Sequence, residues 1–153
     1  MQTIEIKRLS KEDIAHLDPL AQEYRQAHET LKFKDEYINI LIKYFEELLA
    51  EKEKVAILAK VNDEIAGIIV GTIDNNSRLM LPEKIGYIPL LVVLKKYRRI
   101  GIGSKLTNEL IGWFKEKNID LVELYTSIDN ENAREFWEKN GFGINLERRF
   151  KEI

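Results

Sequence analysis

With 153 residues, 44% of them apolar and 33% charged, the chain is large enough to bury one core, and 1-153 reads as a single soluble domain. A net charge of −2 argues against nucleic acid as the main partner, and the absence of cysteine excludes disulfides, thiolate metal ligands and a cysteine nucleophile. Two histidines, His16 and His28, are too few for a histidine-built metal site, and no apolar run reaches the roughly 18 residues that span a bilayer, so neither a metal nor a membrane is expected.

The first residues alternate and carry charge, which suits a strand over 3-8 rather than a signal peptide and makes a cytoplasmic location the default. Ser10 with Asp13 three residues on has the form of a helix-start box. Ile14, Leu17, Ala21 and Tyr24 then share one helical face, and Pro19, with Asp18 as cap, predicts a break and a second helical segment. A further helix is expected over 35-51, with Ile38, Leu41, Phe45, Leu48 and Leu49 as its apolar stripe. Strands over 55-61 and 65-73, joined by a short turn over Asn62, Asp63 and Glu64, predict an antiparallel hairpin. Residues 74-84 read as loop. The run 85-94 is apolar on both faces, as a central strand should be, with a bulge or splay at Pro89, which cannot donate to a ladder. Helix over 102-117, strand over 121-127, helix over 130-140 closed by Gly141, and a last strand over 142-150 complete a mixed α/β order without strict alternation.

The segment from Leu91 to Leu106 carries the chemistry. A buried strand ends, Arg98 and Arg99 follow, and Gly101 and Gly103 open an amphipathic helix. Glycines let backbone approach a ligand closely, the first helical amides have no internal partner, and the helix dipole favours an anion there. With Arg98, Arg99 and Lys105 adding charge, the arrangement suits a diphosphate. A tight turn with solvated basic residues is the competing explanation, and the flanking strand, helix and arginine argue against it. The spacing excludes a Walker A loop, and the lack of a third glycine excludes a Rossmann fingerprint.

Arg98-x-x-Gly101-x-Gly103 resembles the acyl-CoA signature of the GNAT superfamily. The preceding Leu91, Val92, Val93 and Leu94 resemble that family's splayed fourth strand, and Asn130-x-x-Ala133 with Gly141-Phe142 resembles its second motif. The resemblance implies a GNAT-like α/β fold: a mixed, mostly antiparallel six- or seven-stranded sheet splayed at the fourth strand, with about four helices. It implies acetyl-CoA as cosubstrate, its diphosphate held by Arg98, Arg99, Ile100, Gly101, Ile102, Gly103 and Ser104, and its pantetheine arm by Leu91, Val92, Val93 and Asn130. The Leu91 amide would face the thioester oxygen. Asn130 is equally well read as a helix N-cap, and both roles stay open.

Trp137 stands at the cofactor where relatives often have tyrosine as the acid for the leaving thiolate, Lys95 stands where many have proline, and only 11 residues follow Phe142, so a seventh strand is missing, merged or supplied by a partner. For the proton from the amine, Tyr87, Glu83, Tyr125 and Asp129 are candidates, Tyr125 first because its strand borders the splay; each is otherwise a surface or packing residue. His28 would fall where relatives bind acceptors. The expected function is an N-acetyltransferase acting by direct attack of a primary amine, of a small molecule or a peptide, with longer acyl donors also open. The alternatives are a non-catalytic acyl-CoA-binding sensor, suggested by Trp137, and a structural interaction domain that binds no coenzyme. A final strand without a following partner points to a homodimer, unless its charges alone protect the edge.

Overall fold

A computed structural model describes residues 2–28 and 30–153. Met1, where the strand-like start begins, and Glu29 lie outside them. The elements are β1 (Ile4–Arg8), α1 (Lys11–Ile14), α2 (Asp18–Ala27), α3 (Tyr37–Leu48), β2 (Lys54–Val61), β3 (Glu64–Asn75), β4 (Lys84–Val93), a 3-10 turn (Lys95–Tyr97), α4 (Ile102–Glu116), β5 (Val122–Glu123) and α5 (Glu131–Lys139). The strands lie in chain order in one sheet, antiparallel throughout except for the parallel β4–β5 pair.

Local chemistry explains most of these boundaries. Pro19 sits in the first turn of α2 and separates it from α1, as expected from a residue that has no amide to lose there. The Asp13 carboxylate caps α1, accepting from Ser10 N at 3.0 Å and Ser10 Oγ at 2.6 Å. Asn62 and Asp63 both take positive φ, 49° and 69°, which gives a two-residue turn whose twist matches the β2–β3 hairpin. At the end of α5, Gly141 has φ +88°, Gly141 N donates to Glu138 O and Phe142 N to Trp137 O. That pair of bonds completes a Schellman cap, and the Phe142 ring meets Trp137 edge-on at 5.0 Å.

Each face of the sheet carries one core. Ile102, Leu106, Leu110, Trp113 and Phe114 of α4 pack with Val55, Ile57 and Ile69 on one side. Ile14, Leu17, Leu20, Phe45 and Leu48 of α1–α3 pack with Leu58, Ile68 and Val70 on the other. The β3–β4 ladder carries the irregularity announced by Pro89: Val70 opposes Leu90 and Thr72 opposes Tyr87, so Gly71 alone faces both Ile88 and Pro89. The extra residue reverses the side-chain alternation. Ile88 belongs to the α4 core, whereas Leu90 and Val92 belong to the α1–α3 core.

Four expectations are corrected. Among the described residues the sheet has five strands, not six or seven, and there are five α-helices rather than about four, because the first helical stretch is two. The strand expected over 121-127 pairs only at Val122–Glu123, and the one expected over 142-150 forms no ladder. A strand exists only where a neighbour accepts its backbone bonds. After Glu123 the sheet offers none, so Ile144, Leu146 and Phe150 keep a period-two pattern but stay exposed.

Candidate active site

β4 and β5 are in register only at Gly86 with Val122 and Tyr87 with Glu123. Beyond Tyr87 the two strands part, and β4 continues with β3 alone. Leu94 N donates to Ala66 O at 2.9 Å, extending the register in which Val92 opposes Ile68. Bonded and non-bonded pairs alternate along an antiparallel ladder, so the even-numbered residues 90, 92 and 94 bond to β3. Leu91 and Val93 therefore turn their N–H and C=O groups into the splay. One of these is engaged: Arg98 Nε donates to Val93 O at 2.9 Å.

The chain next makes the 3-10 turn, ended by Arg98 N donating to Lys95 O at 3.3 Å. Arg99 (φ 65°) and Gly101 (φ 85°) both adopt left-handed backbone, the second as the N-cap of α4. Left-handed steps between ordinary ones make successive amides converge into an anion-binding concavity. Lys105 N, bonded to Gly101 O at 3.0 Å, is the first satisfied amide of the helix, and among the described residues the amides of 99-104 have no protein acceptor. A Cβ on Gly101 would meet nothing within 4 Å, so the cradle is open. Gly103 serves differently: its Cβ would lie 3.0 Å from the Phe136 ring, so the glycine lets α5 close on α4. The Ile102 side chain is core, leaving only its amide for a ligand, whereas Ile100 is exposed.

At the mouth of the splay Tyr87 and Tyr125 meet edge to face at 5.9 Å, Tyr125 being 68% exposed. Burial pushes the Tyr87 phenol up, Tyr125, Tyr24 and Asp74 reinforce the shift, and Arg148 opposes it. A cavity of about 410 Å³ lies between the end of α2 and the start of α5, lined among others by Gln26, His28, Asp129 and Asn130. His28 Nδ1 lies 2.8 Å from Tyr24 O, which can only accept, so Nδ1 is the donor of that bond. Asn130 Oδ1 accepts from Ala133 N at 3.1 Å, so it is an N-cap whose Nδ2 remains unengaged. Trp137 is only 8% exposed, wedged edge-on between Phe136 and Phe142, and belongs to the core. Glu83 stays in the exposed β3–β4 loop.

The model of the acetyltransferase (GNAT) family matches residues 17–142, most of the chain. The chain belongs to the GNAT acetyltransferase family. Human N-alpha-acetyltransferase 30 is 37% identical over 89 residues, 58% of this chain and 24% of that protein. Zebrafish (Danio rerio) N-alpha-acetyltransferase 50 is 34% identical over 103 residues, 67% of this chain and 58% of that one. The chain thus spans from about a quarter to somewhat over half of these relatives' length. Among solved structures, an aminoglycoside N-acetyltransferase in complex with CoA superposes with a TM-score of 0.81 at 15% identity, over 100% of this chain and 96% of that one. A predicted acetyltransferase from Clostridium acetobutylicum with acetyl-CoA gives 0.79 at 20% identity, over 98% of this chain and 96% of that one. These two likenesses establish the GNAT fold.

Within the GNAT frame, the motif read from the sequence and the strand before it fall on one cleft, and Tyr87 and Tyr125 stand together at its mouth. Glu23 of α2 was not marked by any motif. Its Oε1 accepts from Lys95 N at 2.7 Å and from Arg98 Nη2 at 3.1 Å. Only its place two residues beyond Ala21, beside the apolar stripe of α2, marked it as more than a solvated acid.

Proposed function

We propose that the protein is an acetyl-CoA-dependent N-acetyltransferase, a single unit over 1-153, whose acceptor is the α-amino group of a peptide or protein chain. The observation that carries the reading is the meeting, in one cleft, of the unsatisfied amides of 99-104 with the backbone edge of Leu91 and Val93, which β3 leaves unpaired and of which only Val93 O is taken, by Arg98. The first fits a diphosphate and the second the amides of a pantetheine arm, which lies against a strand edge as another strand would. Acetyl-CoA supplies an activated acetyl thioester. The Leu91 amide faces the thioester oxygen and stabilises the negative charge that develops as the amine attacks. With no cysteine in the chain, attack is direct. Tyr87, its phenol pushed up by burial, holds a proton for the departing thiolate more readily than it takes one from the amine.

The sequence relatives named as N-alpha-acetyltransferases support the peptide acceptor, and the tyrosine-lined mouth suits an extended backbone. The location is cytoplasmic; among the described residues no helix is long and apolar enough to cross a membrane. The tail after Gly141, with its unpaired alternating Ile144, Leu146 and Phe150, supports a homodimer in which a second copy covers it. Release of free CoA is measured with acetyl-CoA and a panel of unblocked peptides, polyamines and aminoglycosides. Turnover is expected with peptides and is lost when their N-terminus is formylated. Binding of CoA without turnover on any amine makes the protein a sensor instead.

A further inference from the structure

We propose that Glu23 is a positioning residue for the acetyl-CoA cradle, fixing its geometry from α2 through Arg98; this rests on the acyl-CoA reading of the cleft. The chain leaves β4 at Leu94 (φ −54°, ψ 136°) and enters the 3-10 turn, whose first amide, Lys95 N, has no acceptor within the turn. Glu23 Oε1 supplies that acceptor at 2.7 Å. The same oxygen takes Arg98 Nη2 at 3.1 Å, at the other end of the turn. Arg98 in turn reaches back with Nε to Val93 O at 2.9 Å. One carboxylate oxygen thereby joins the middle of α2, the end of the splayed strand and the residue from which the left-handed steps at Arg99 and Gly101 begin.

The Glu23 side chain is 14% exposed, against 52% for Glu64, whose pairing with Lys96 and Tyr97 holds the outer side of the same turn. A charge-assisted bond shielded from water is the stronger of the two. Its consequence for Arg98 is specific. The guanidinium, half-exposed, is paired with Glu23 through Nη2 and bonded to Val93 O through Nε, so Arg98 serves the diphosphate by shape more than by charge. The turn is held in one conformation before any ligand arrives, and the cost of ordering it is not taken from the binding energy.

The two roles predict opposite signs. Were Arg98 a direct diphosphate ligand restrained by Glu23, neutralising Glu23 would free the cation and strengthen coenzyme binding. Positioning predicts weakening. CoA is titrated calorimetrically into the wild-type protein, Glu23→Ala, Glu23→Gln, Arg98→Gln and the double variant Glu23→Gln/Arg98→Gln, with melting temperatures of the free proteins and with KM for acetyl-CoA and kcat. Glu23→Ala is expected to raise the CoA Kd and the acetyl-CoA KM by about tenfold, with kcat at saturation falling far less. Glu23→Gln, which keeps the acceptor oxygen and loses the charge, is expected to raise Kd by about threefold and carries the test if the alanine variant does not fold. The double variant is expected to bind no more weakly than Arg98→Gln alone. A folded Glu23 variant with wild-type or tighter Kd, a lowered melting temperature with unchanged Kd, or additive losses in the double variant overturns the proposal. A wild-type titration with no CoA binding overturns the acyl-CoA reading itself, and the positioning role with it, before any variant is compared.

Discussion

Tyr125 and Asp13 show how a single side chain's surroundings set what it can do. Tyr125 is the exposed member of the edge-to-face pair with Tyr87. Tyr125→Phe retains the ring contact and removes the hydroxyl. Its kcat is expected to fall by about 10² with the acetyl-CoA KM nearly unchanged, as measured by thiol release; an unaltered kcat removes Tyr125 from the chemistry. Asp13 is structural. Burial alone would raise its pKa, but hydrogen bonds from Ser10, Lys7 and Lys60 outweigh that and hold the carboxyl well below the usual carboxylate range. Lys7 and Lys60 approach its two oxygens at 2.9 and 3.1 Å. Because the folded-state value lies below the unfolded one, this contribution is fully present above the unfolded pKa of about 4 and fades as pH falls toward the folded value. Asp13→Asn is expected to cost about 1–3 kcal/mol at pH 7. In urea unfolding, the gap between it and the wild type should narrow at pH 3, and a gap constant with pH contradicts the ionic origin.

At the scale of elements, the two cradle glycines are required for different reasons, and their alanine variants separate these. Gly101→Ala places a Cβ in open space but forces alanine into left-handed backbone, a cost of roughly 1–2 kcal/mol. It is expected to weaken CoA binding as the amides turn, measured by titration. Gly103→Ala has helical backbone but drives a Cβ against Phe136 at 3.0 Å. Its melting temperature is expected to drop in the wild-type background and to drop less when Phe136 is also replaced by leucine; equal drops in both backgrounds exclude the ring as the cause. Left-handed backbone marks Gly101 and the approach of α5 marks Gly103, whereas the motif spacing alone treats them alike. The same boundary limits the rest of the sequence reading. Pro19, Asn62, Pro89 and Gly141 act through their own backbone geometry, so the helix break, the hairpin, the bulge and the left-handed cap were legible. The run 142-150 has the alternation of a strand, but strand formation is decided by a neighbour's free edge, which is not written locally. Trp137 has the spacing of a cofactor residue and the surroundings of a core residue. Glu23 and Arg98 stand 75 residues apart, so their pairing appears only after α2 has docked on β4.

For the whole molecule, the C-terminal tail decides how copies of the chain meet. Ile144, Leu146 and Phe150 are exposed on alternate positions, and the β4–β5 ladder ends at Glu123. Unsatisfied backbone and apolar side chains in one place favour association unless charge prevents it, and Glu147, Arg148 and Arg149 supply charge. Sedimentation at low micromolar concentration is expected to give a species twice the 17.9 kDa chain mass, and removal of residues 143-153 is expected to return it to one chain. A concentration-independent species of 17.9 kDa means that the charges suffice.

The extra residue at Ile88 and Pro89 has a consequence for how this chain tolerates change. Before it, β4 presents Tyr87 to the chamber under α2 and α3; after it, Leu91 and Val93 look toward α4. One continuous strand thus addresses two rooms because its count is odd by one. Side-chain identity around residue 89 is then negotiable in a way that chain length is not. A conservative replacement of Pro89 leaves every neighbour on its own side, whereas deletion of a single residue there turns half the strand over, carrying Tyr87 to the wrong room or Leu91 and Val93 out of their own.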